Sequence, residues 1–267
     1  MPSQKIVLVT GANKGIGYEI VKALLASTKP YHVLLGSRSL ESGHEAAAKL
    51  RDELPDTANS VEPIQLDLNS DTSIQSAFET VQASHGRLDV LINNAGLTAD
   101  PDFLRGTVTL RESMTNSYAV NVAGTHVVSY TFVPLLLLSA DPRLVFVSGL
   151  GTFADATQRK YPLPPTLERG TWPKKEVAFE TVGYRCSKTA MNMMMLDYKW
   201  KLEGDGVKVW AVQPGFLETD FGGGKELVKE MGAGYPSLGG DLIRKVVEGE
   251  RDADAGKLID KDGVLEF

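Results

Sequence analysis

Two kinds of apolar pattern alternate along the chain. Short runs of almost unbroken apolar residues fall at 5–9, 32–35, 62–66, 88–92, 144–147 and 207–212, with a last candidate at 257–259. Between them lie helix-length amphipathic stretches at 15–27, 40–54, 71–85, 110–138 and 183–202. A strand without polar alternation is one buried on both faces, as in a parallel sheet covered by helices. The succession predicts repeated βα units with right-handed crossovers. One α/β domain over residues 1–267 follows, a doubly wound parallel sheet of about seven strands with helices on both faces. Ser70 or Asp71 suits the N-cap of the third helix.

Two segments break this rhythm. Residues 153–182 carry Pro162, Pro164, Pro165 and Pro173 around Trp172, and residues 216–238 contain Gly222-Gly223-Gly224 and Gly232-Ala233-Gly234. Long irregular connections in a compact α/β domain are either functional lids or decoration of the surface.

Composition narrows the classes. A length of 267 residues exceeds the usual single domain, but one doubly wound sheet can absorb it. With 42% hydrophobic and 23% charged residues, the chain has the make-up of a globular protein. A formal net charge of −6 argues against a nucleic-acid partner, which calls for a basic surface. Cys186 is the only cysteine, which excludes an intrachain disulfide and a multi-cysteine metal site; it reads as a small helix packer. His32, His44, His85 and His126 lack ligand spacing, so no metal is expected. The N-terminus lacks the basic and apolar regions of a secretory signal, and the apolar run 132–138 is too short to span a bilayer. A cytoplasmic protein without a membrane partner is expected.

The chemistry sits in three places. The first strand closes on Thr10-Gly11-Ala12-Asn13-Lys14-Gly15-Ile16-Gly17, the fourth on Asn93-Asn94-Ala95-Gly96, and Tyr184-Arg185-Cys186-Ser187-Lys188 opens the last long helix. Glycines at the start of a helix let the backbone approach a pyrophosphate. At i, i+4 a phenol and an ammonium share one helix face, so the cation holds the tyrosine closer to its ionised form. Together, in this order, these motifs resemble the short-chain dehydrogenase/reductase family over nearly the whole chain, which implies a Rossmann-type fold.

The glycine spacing, Gly-x-x-x-Gly-x-Gly, is that family's own rather than the general dinucleotide fingerprint. Where NAD enzymes carry an acid about 20 residues beyond the glycines, this chain has Gly36-Ser37-Arg38. Ser37 leaves room for a 2′-phosphate, Arg38 can pair with it bidentately, and Lys14 adds a second positive charge, so NADP(H) is the expected cofactor. The resemblance also implies adenine contacts from Asp67-Leu68, adenosine contacts from Asn94, Ala95 and Gly96, and a nicotinamide contact from Thr219 in Pro214-Gly215-Phe216-Leu217-Glu218-Thr219. Asp67 and Thr219 as simple helix caps, and the amides of 93–96 as partners of the backbone, remain open alternatives.

By the same resemblance, Tyr184 is the proton donor to a carbonyl oxygen. Lys188 draws down the phenol pKa and anchors the nicotinamide ribose, while Asn121 distorts its helix and holds a relay water. The serine position is less regular, because strand five ends Val147-Ser148-Gly149-Leu150-Gly151-Thr152 where the family shows two adjacent hydroxyl residues. Strict alignment puts Gly149 on the catalytic position. A one-residue deletion restores Ser148, the favoured assignment, with Thr152 as substitute.

The long stretch between Ser148 and Tyr184 resembles carbonyl-reductase-like members of the family. The leading expectation is an NADPH-dependent reductase of ketones or aldehydes; a non-catalytic NADP(H) sensor is the alternative. Segments 97–107, 149–182 and 216–238 should wall the substrate pocket. Phe153, Tyr161, Trp172, Phe179, Phe216, Phe221 and Tyr235 there suggest a largely apolar or aromatic small-molecule carbonyl substrate. The helix after Tyr184 is apolar around most of its circumference. It either packs against a second copy, giving a homodimer or homotetramer, or lies under the long insertion.

Overall fold

The apolar runs all become strands: β1 (Lys5–Val9), β2 (Tyr31–Ser37), β3 (Ser60–Gln65), β4 (Val90–Asn93), β5 (Arg143–Val147), β6 (Lys208–Val212) and β7 (Leu258–Ile259). They form a parallel sheet in the order β3-β2-β1-β4-β5-β6-β7, and one further strand, β8 (Val264–Leu265), closes it antiparallel to β7. The sheet thus has eight strands rather than about seven. The additional strand is only two residues long, too short to show a period in the sequence. The computed structural model describes residues 4–149, 153, 157, 169–170, 172, 181–220, 224–230 and 232–267.

The inner strands lack polar alternation because both faces are covered, whereas the edge strand β3 buries Val61 and Ile64 and leaves Glu62 and Gln65 exposed. Val7, Val9, Val33, Leu35, Val145 and Val147 point to one core; Leu8, Leu34, Leu144 and Phe146 point to the other. Helices α1 (Gly15–Leu25) and α2 (Leu40–Glu53) cover the first face, and α3 (Asp71–His85) covers the second, with Ser70 as its N-cap accepting from Ser73 N–H.

The stretch expected as one helix over 110–138 is divided. After a short α4 (Asp100–Leu104), α5 (Leu110–Tyr118) gives way to a π-helical segment, Ala119–Gly124, before α6 (Thr125–Leu136). Counted through the π segment, Leu110–Leu136 is long and apolar enough to cross a membrane by length and composition. Its Val128, Phe132, Leu135 and Leu136 are fully buried in the second core.

Helix α7 (Val182–Leu202) buries Met191, Met195, Tyr198 and Leu202 on the same face and leaves Met193 and Trp200 exposed. Cys186 is exposed on it and does not pack as expected, since its position lies off the buried stripe. Helices α8 (Lys225–Glu230) and α9 (Ser237–Glu248) fall outside the predicted pattern. The glycine pair Gly239-Gly240 masks α9 in the sequence, although Leu242, Ile243, Val246 and Val247 carry a helical period. A Cβ on Gly240 would stand 2.5 Å from the Glu19 carbonyl oxygen, so the glycine lets α9 lie close on α1.

Candidate active site

Because β1, β4, β5 and β6 run parallel, the loops leaving their C-terminal ends meet along one edge of the sheet. Gly11 and Gly15 have φ of +61° and +59°, a left-handed backbone that a Cβ disfavours. Ala12 N–H donates to the Gly36 carbonyl at 2.8 Å, fastening the glycine loop to the end of β2. Thr10 Oγ1 accepts from the backbone N–H groups of Asn94 at 3.0 Å and Ala95 at 2.9 Å. The Asn94 side-chain amide donates back to the Thr10 and Gly11 carbonyls. A Cβ on Gly17 would stand 2.5 Å from Asn94 Nδ2, so a side chain there would break this tie. Gly96 lies deeper, where a Cβ would be 3.5 Å from both Asn121 Oδ1 and Lys188 Nζ.

Helix α1 starts at Gly15 with no side-chain cap from Lys14. Its first N–H groups therefore suit an anionic oxygen, and the bare glycine backbone beside them fits a dinucleotide pyrophosphate. Asn13 and Ile16 are half-buried in this loop. Thr219 stands against it, 3.7 Å from its methyl to a Cβ built on Gly15, after Pro214 and a Gly215 at φ +102°. At the end of β2, Ser37 is buried against Gly43 of α2, whereas Arg38 and Lys14 are both exposed. Asp67 accepts from Asn69 N–H through Oδ1 at 3.0 Å, and its own N–H donates to Ser73 Oγ. It forms a turn of its own, while Ser70 caps α3. Leu68 is buried, and a Cβ on Gly124 would overlap its carbonyl. A groove of about 600 Å³ adjoins the loop at Lys14, Gly15 and Thr219, but Tyr184 and Lys188 do not line it.

The residues expected to be catalytic converge where β5 ends. Asn121, fully buried in the π segment, accepts from Leu97 N–H at 2.7 Å. Its amide donates to the Leu97 carbonyl and to Ser187 Oγ, both at 2.8 Å. Lys188 Nζ donates to the Val147 carbonyl at 2.7 Å and lies 5.7 Å from the centroid of the Tyr184 ring. A Cβ on Gly149 would stand 2.7 Å from the Tyr184 hydroxyl and 2.9 Å from Lys188 Cγ. Gly149, the residue that strict alignment selects, is therefore what faces the phenol. The favoured Ser148 is buried one position earlier, its hydroxyl donating to Asn192 Oδ1 at 2.6 Å. Successive residues leaving a strand point to opposite sides, so a one-residue difference in register decides which of them meets the tyrosine. The substitute, Thr152, lies outside the described residues. Asn192 follows Lys188 by one helical turn, a spacing visible in the sequence but with no signal that it would meet Ser148.

Burial pulls the Lys188 ammonium down to about 7 from its ordinary value near 10.4. Between those values the unfolded chain binds a proton that the folded one does not, so stability of the ligand-free protein rises with pH across that window. Below pH 7 both states are charged and the burial cost is present in full. Lys188→Met should accordingly melt at least ~2 °C above the parent at pH 6–7, with the gap closing as pH approaches 10. Calorimetry over that range checks this; a variant melting lower at pH 6 would refute it.

Two of the histidines that lack ligand spacing in the sequence, His32 and His85, do come together in space. His32, Glu62 and His85 lie within 4.8 Å of one another, at the far ends of β2 and α3 from this edge. His32 Nε2 is 3.2 Å from Glu62 Oε2, and His32 Nδ1 is 2.7 Å from Ser60 Oγ. The β2–β3 register, His32 opposite Ser60, makes this contact, and the linear sequence does not show it.

Comparison with known proteins gives one pattern. A family model described as short chain dehydrogenase matches residues 5–161. The short-chain dehydrogenase/reductase tropE of Talaromyces stipitatus is 42% identical over 268 residues, covering 100% of this chain and 98% of its own. A (+)-neomenthol dehydrogenase of Arabidopsis thaliana is 31% identical over 253 residues, covering 81% of this chain and 84% of its own. The crystal structure of NADPH-bound carbonyl reductase from chicken fatty liver superposes with a TM-score of 0.77 at 25% identity, covering 99% of each chain.

Proposed function

The chain belongs to the short-chain dehydrogenase family, whose members are oxidoreductases, and from that premise we propose that it is an NADPH-dependent reductase of ketones or aldehydes. The observation that carries this reading is the convergence of the Tyr184 hydroxyl and the buried Lys188 on Gly149 at the end of β5. The likeness to an NADPH-bound carbonyl reductase supports it. A sensor that binds the nucleotide without turning it over would have no use for this pair.

The glycine loop, the N-terminus of α1, Arg38 and Lys14 would hold the phosphates, and Thr219, Tyr184 and Lys188 the nicotinamide half. When bound, the nicotinamide supplies the hydride to the carbonyl carbon. Tyr184 Oη gives its proton to the carbonyl oxygen as that oxygen gains charge. Lys188 stabilises the phenolate left behind, and Asn121 keeps Leu97 and Ser187 fixed around it. Ser148 serves here by tying the strand end to α7 through Asn192, and the polarisation of the carbonyl falls mainly to Tyr184.

The half-buried Phe216 and the exposed Phe153, Trp172 and Tyr235 support an apolar or aromatic substrate. Tyr161, Phe179 and Phe221 lie outside the described residues. A panel of ketones and aldehydes, followed by NADPH absorbance, tests the reading: nucleotide binding without turnover on any member would favour the sensor.

A homodimer or homotetramer is part of the proposal. Tyr130 and Leu138, on and just beyond α6, and Met193 and Trp200 on α7 are 64–74% exposed. Large apolar groups gathered on two helices suit a symmetric contact with a second copy. Light scattering at micromolar concentration should give a multiple of the chain mass, and Trp200→Glu should reduce it. A monomer before substitution would exclude the association.

A further inference from the structure

Helix α7 carries the proposed proton donor on its first turn. Thr181, at the cap position, makes no side-chain cap hydrogen bond. The first N–H groups of a helix have no intrahelical partner, so an uncapped first turn frays and takes its side chains with it.

A carboxylate from elsewhere fills this place. Asp100, 2% exposed, accepts from Gly183 N–H through Oδ1 at 2.9 Å and from Tyr184 N–H through Oδ2 at 2.8 Å. Thr98 Oγ1 donates to Oδ2 at 3.1 Å and fixes the carboxylate's rotamer. A negative charge at a helix N-terminus is favoured by the helix dipole, and two charge-assisted hydrogen bonds add to it. Gly183 fits this arrangement alone, because a Cβ there would stand 2.9 Å from Asp100 Oδ1. The same loop is tied at Leu97 to Asn121, whose amide also holds Ser187 of α7. Residues 97–100 therefore grip the helix at two points, on either side of the tyrosine.

We infer that Asp100 is the positioning residue for Tyr184, a helix cap supplied by the first residue of α4 that sets where the phenol stands relative to Lys188. This rests on the reading of Tyr184 as proton donor. In Asp100→Asn one of the two backbone N–H groups loses its acceptor; in Gly183→Ala the methyl pushes the carboxylate off. Displacement of a reacting group by a fraction of an ångström costs on the order of tenfold in rate or more.

The test is a double-mutant cycle on the full chain, far below each variant's melting temperature. Asp100→Asn and Gly183→Ala are each expected to lower kcat about tenfold, with NADPH affinity and substrate KM within about twofold of the parent. Gly183→Ala should cost little once Asp100 is alanine, since the clash is gone. If Asp100→Ala does not fold, Asp100→Ser, whose shorter side chain also leaves room for the added methyl, takes its place in the cycle. A folded Asp100→Asn with kcat within about twofold of the parent, or strictly additive losses, would overturn the inference. Amide exchange at Gly183 and Tyr184, read without substrate, separates it from the reading beneath. Should the parent turn over no carbonyl, faster exchange in Asp100→Asn faults only the activity, and unchanged exchange removes the cap as well.

Discussion

Tyr184→Phe is expected to abolish carbonyl reduction while leaving NADPH binding near that of the parent. The substitution removes a single oxygen, so the ring keeps its place beside Lys188 Nζ, 5.7 Å from the centroid. The backbone of the helical turn keeps its two hydrogen bonds to Asp100. What is lost is the transferable proton, and with it a general-acid contribution of roughly 10²-fold or more. Rapid kinetics and fluorescence titration of NADPH on the same preparation check both halves. Retention of more than about a tenth of the parent activity would end the case for Tyr184 as donor. Lys188→Ala should damage both, since the same ammonium is proposed to serve the phenol and the ribose.

Replacing Arg38 by Asp is expected to reverse the cofactor preference from NADPH to NADH. The position follows β2, whose end is fastened to the glycine loop through the Ala12–Gly36 hydrogen bond, so its side chain borders the adenosine end of the proposed cradle. Arg38 is exposed and Ser37 is buried against α2, which leaves the guanidinium and Lys14 as the charged groups offered there. A guanidinium pairs with a 2′-phosphate and has no comparable partner on a bare ribose. A carboxylate in its place accepts from the ribose hydroxyls and repels the phosphate. Loss of a charge-assisted pair together with the new repulsion should change the ratio of the two kcat/KM values by about 10²- to 10³-fold. Comparable efficiencies with NADH and NADPH in the unmodified protein would remove the basis for this expectation.

Much of the site's scaffold was legible because its signals are local. A buried parallel strand must be apolar on both faces, and β1 came out with its observed bounds, Lys5–Val9. A helix that opens on a cap shows it in adjacent residues, and α3 runs over Asp71–His85 as read. The left-handed turns at Gly11 and Gly15 and the shared helix of Tyr184 and Lys188 were likewise legible, because backbone turns and i, i+4 neighbours depend on residues close in the chain. Helix α9 is less legible although Leu242, Ile243, Val246 and Val247 carry its period, since glycines weaken the helical signal of its first turn.

The rest depended on contacts between distant residues. Sequence order leaves Ser148 and Gly149 as alternatives; the packing of α7 on the end of β5 puts Gly149 against the phenol and Ser148 on Asn192. Neither Asp100 nor Gly183 carries a motif, and 83 residues separate them, yet the carboxylate of one accepts from the N–H of the other. Amino-acid pattern by itself determined the layers and the helix face that Tyr184 and Lys188 share, because burial and helical spacing repeat along the chain. Which residue at the end of β5 meets the tyrosine, and which group accepts from the first turn of its helix, only the tertiary structure decided, since a hydrogen bond across the fold depends on the docking of whole elements and leaves no period in the sequence.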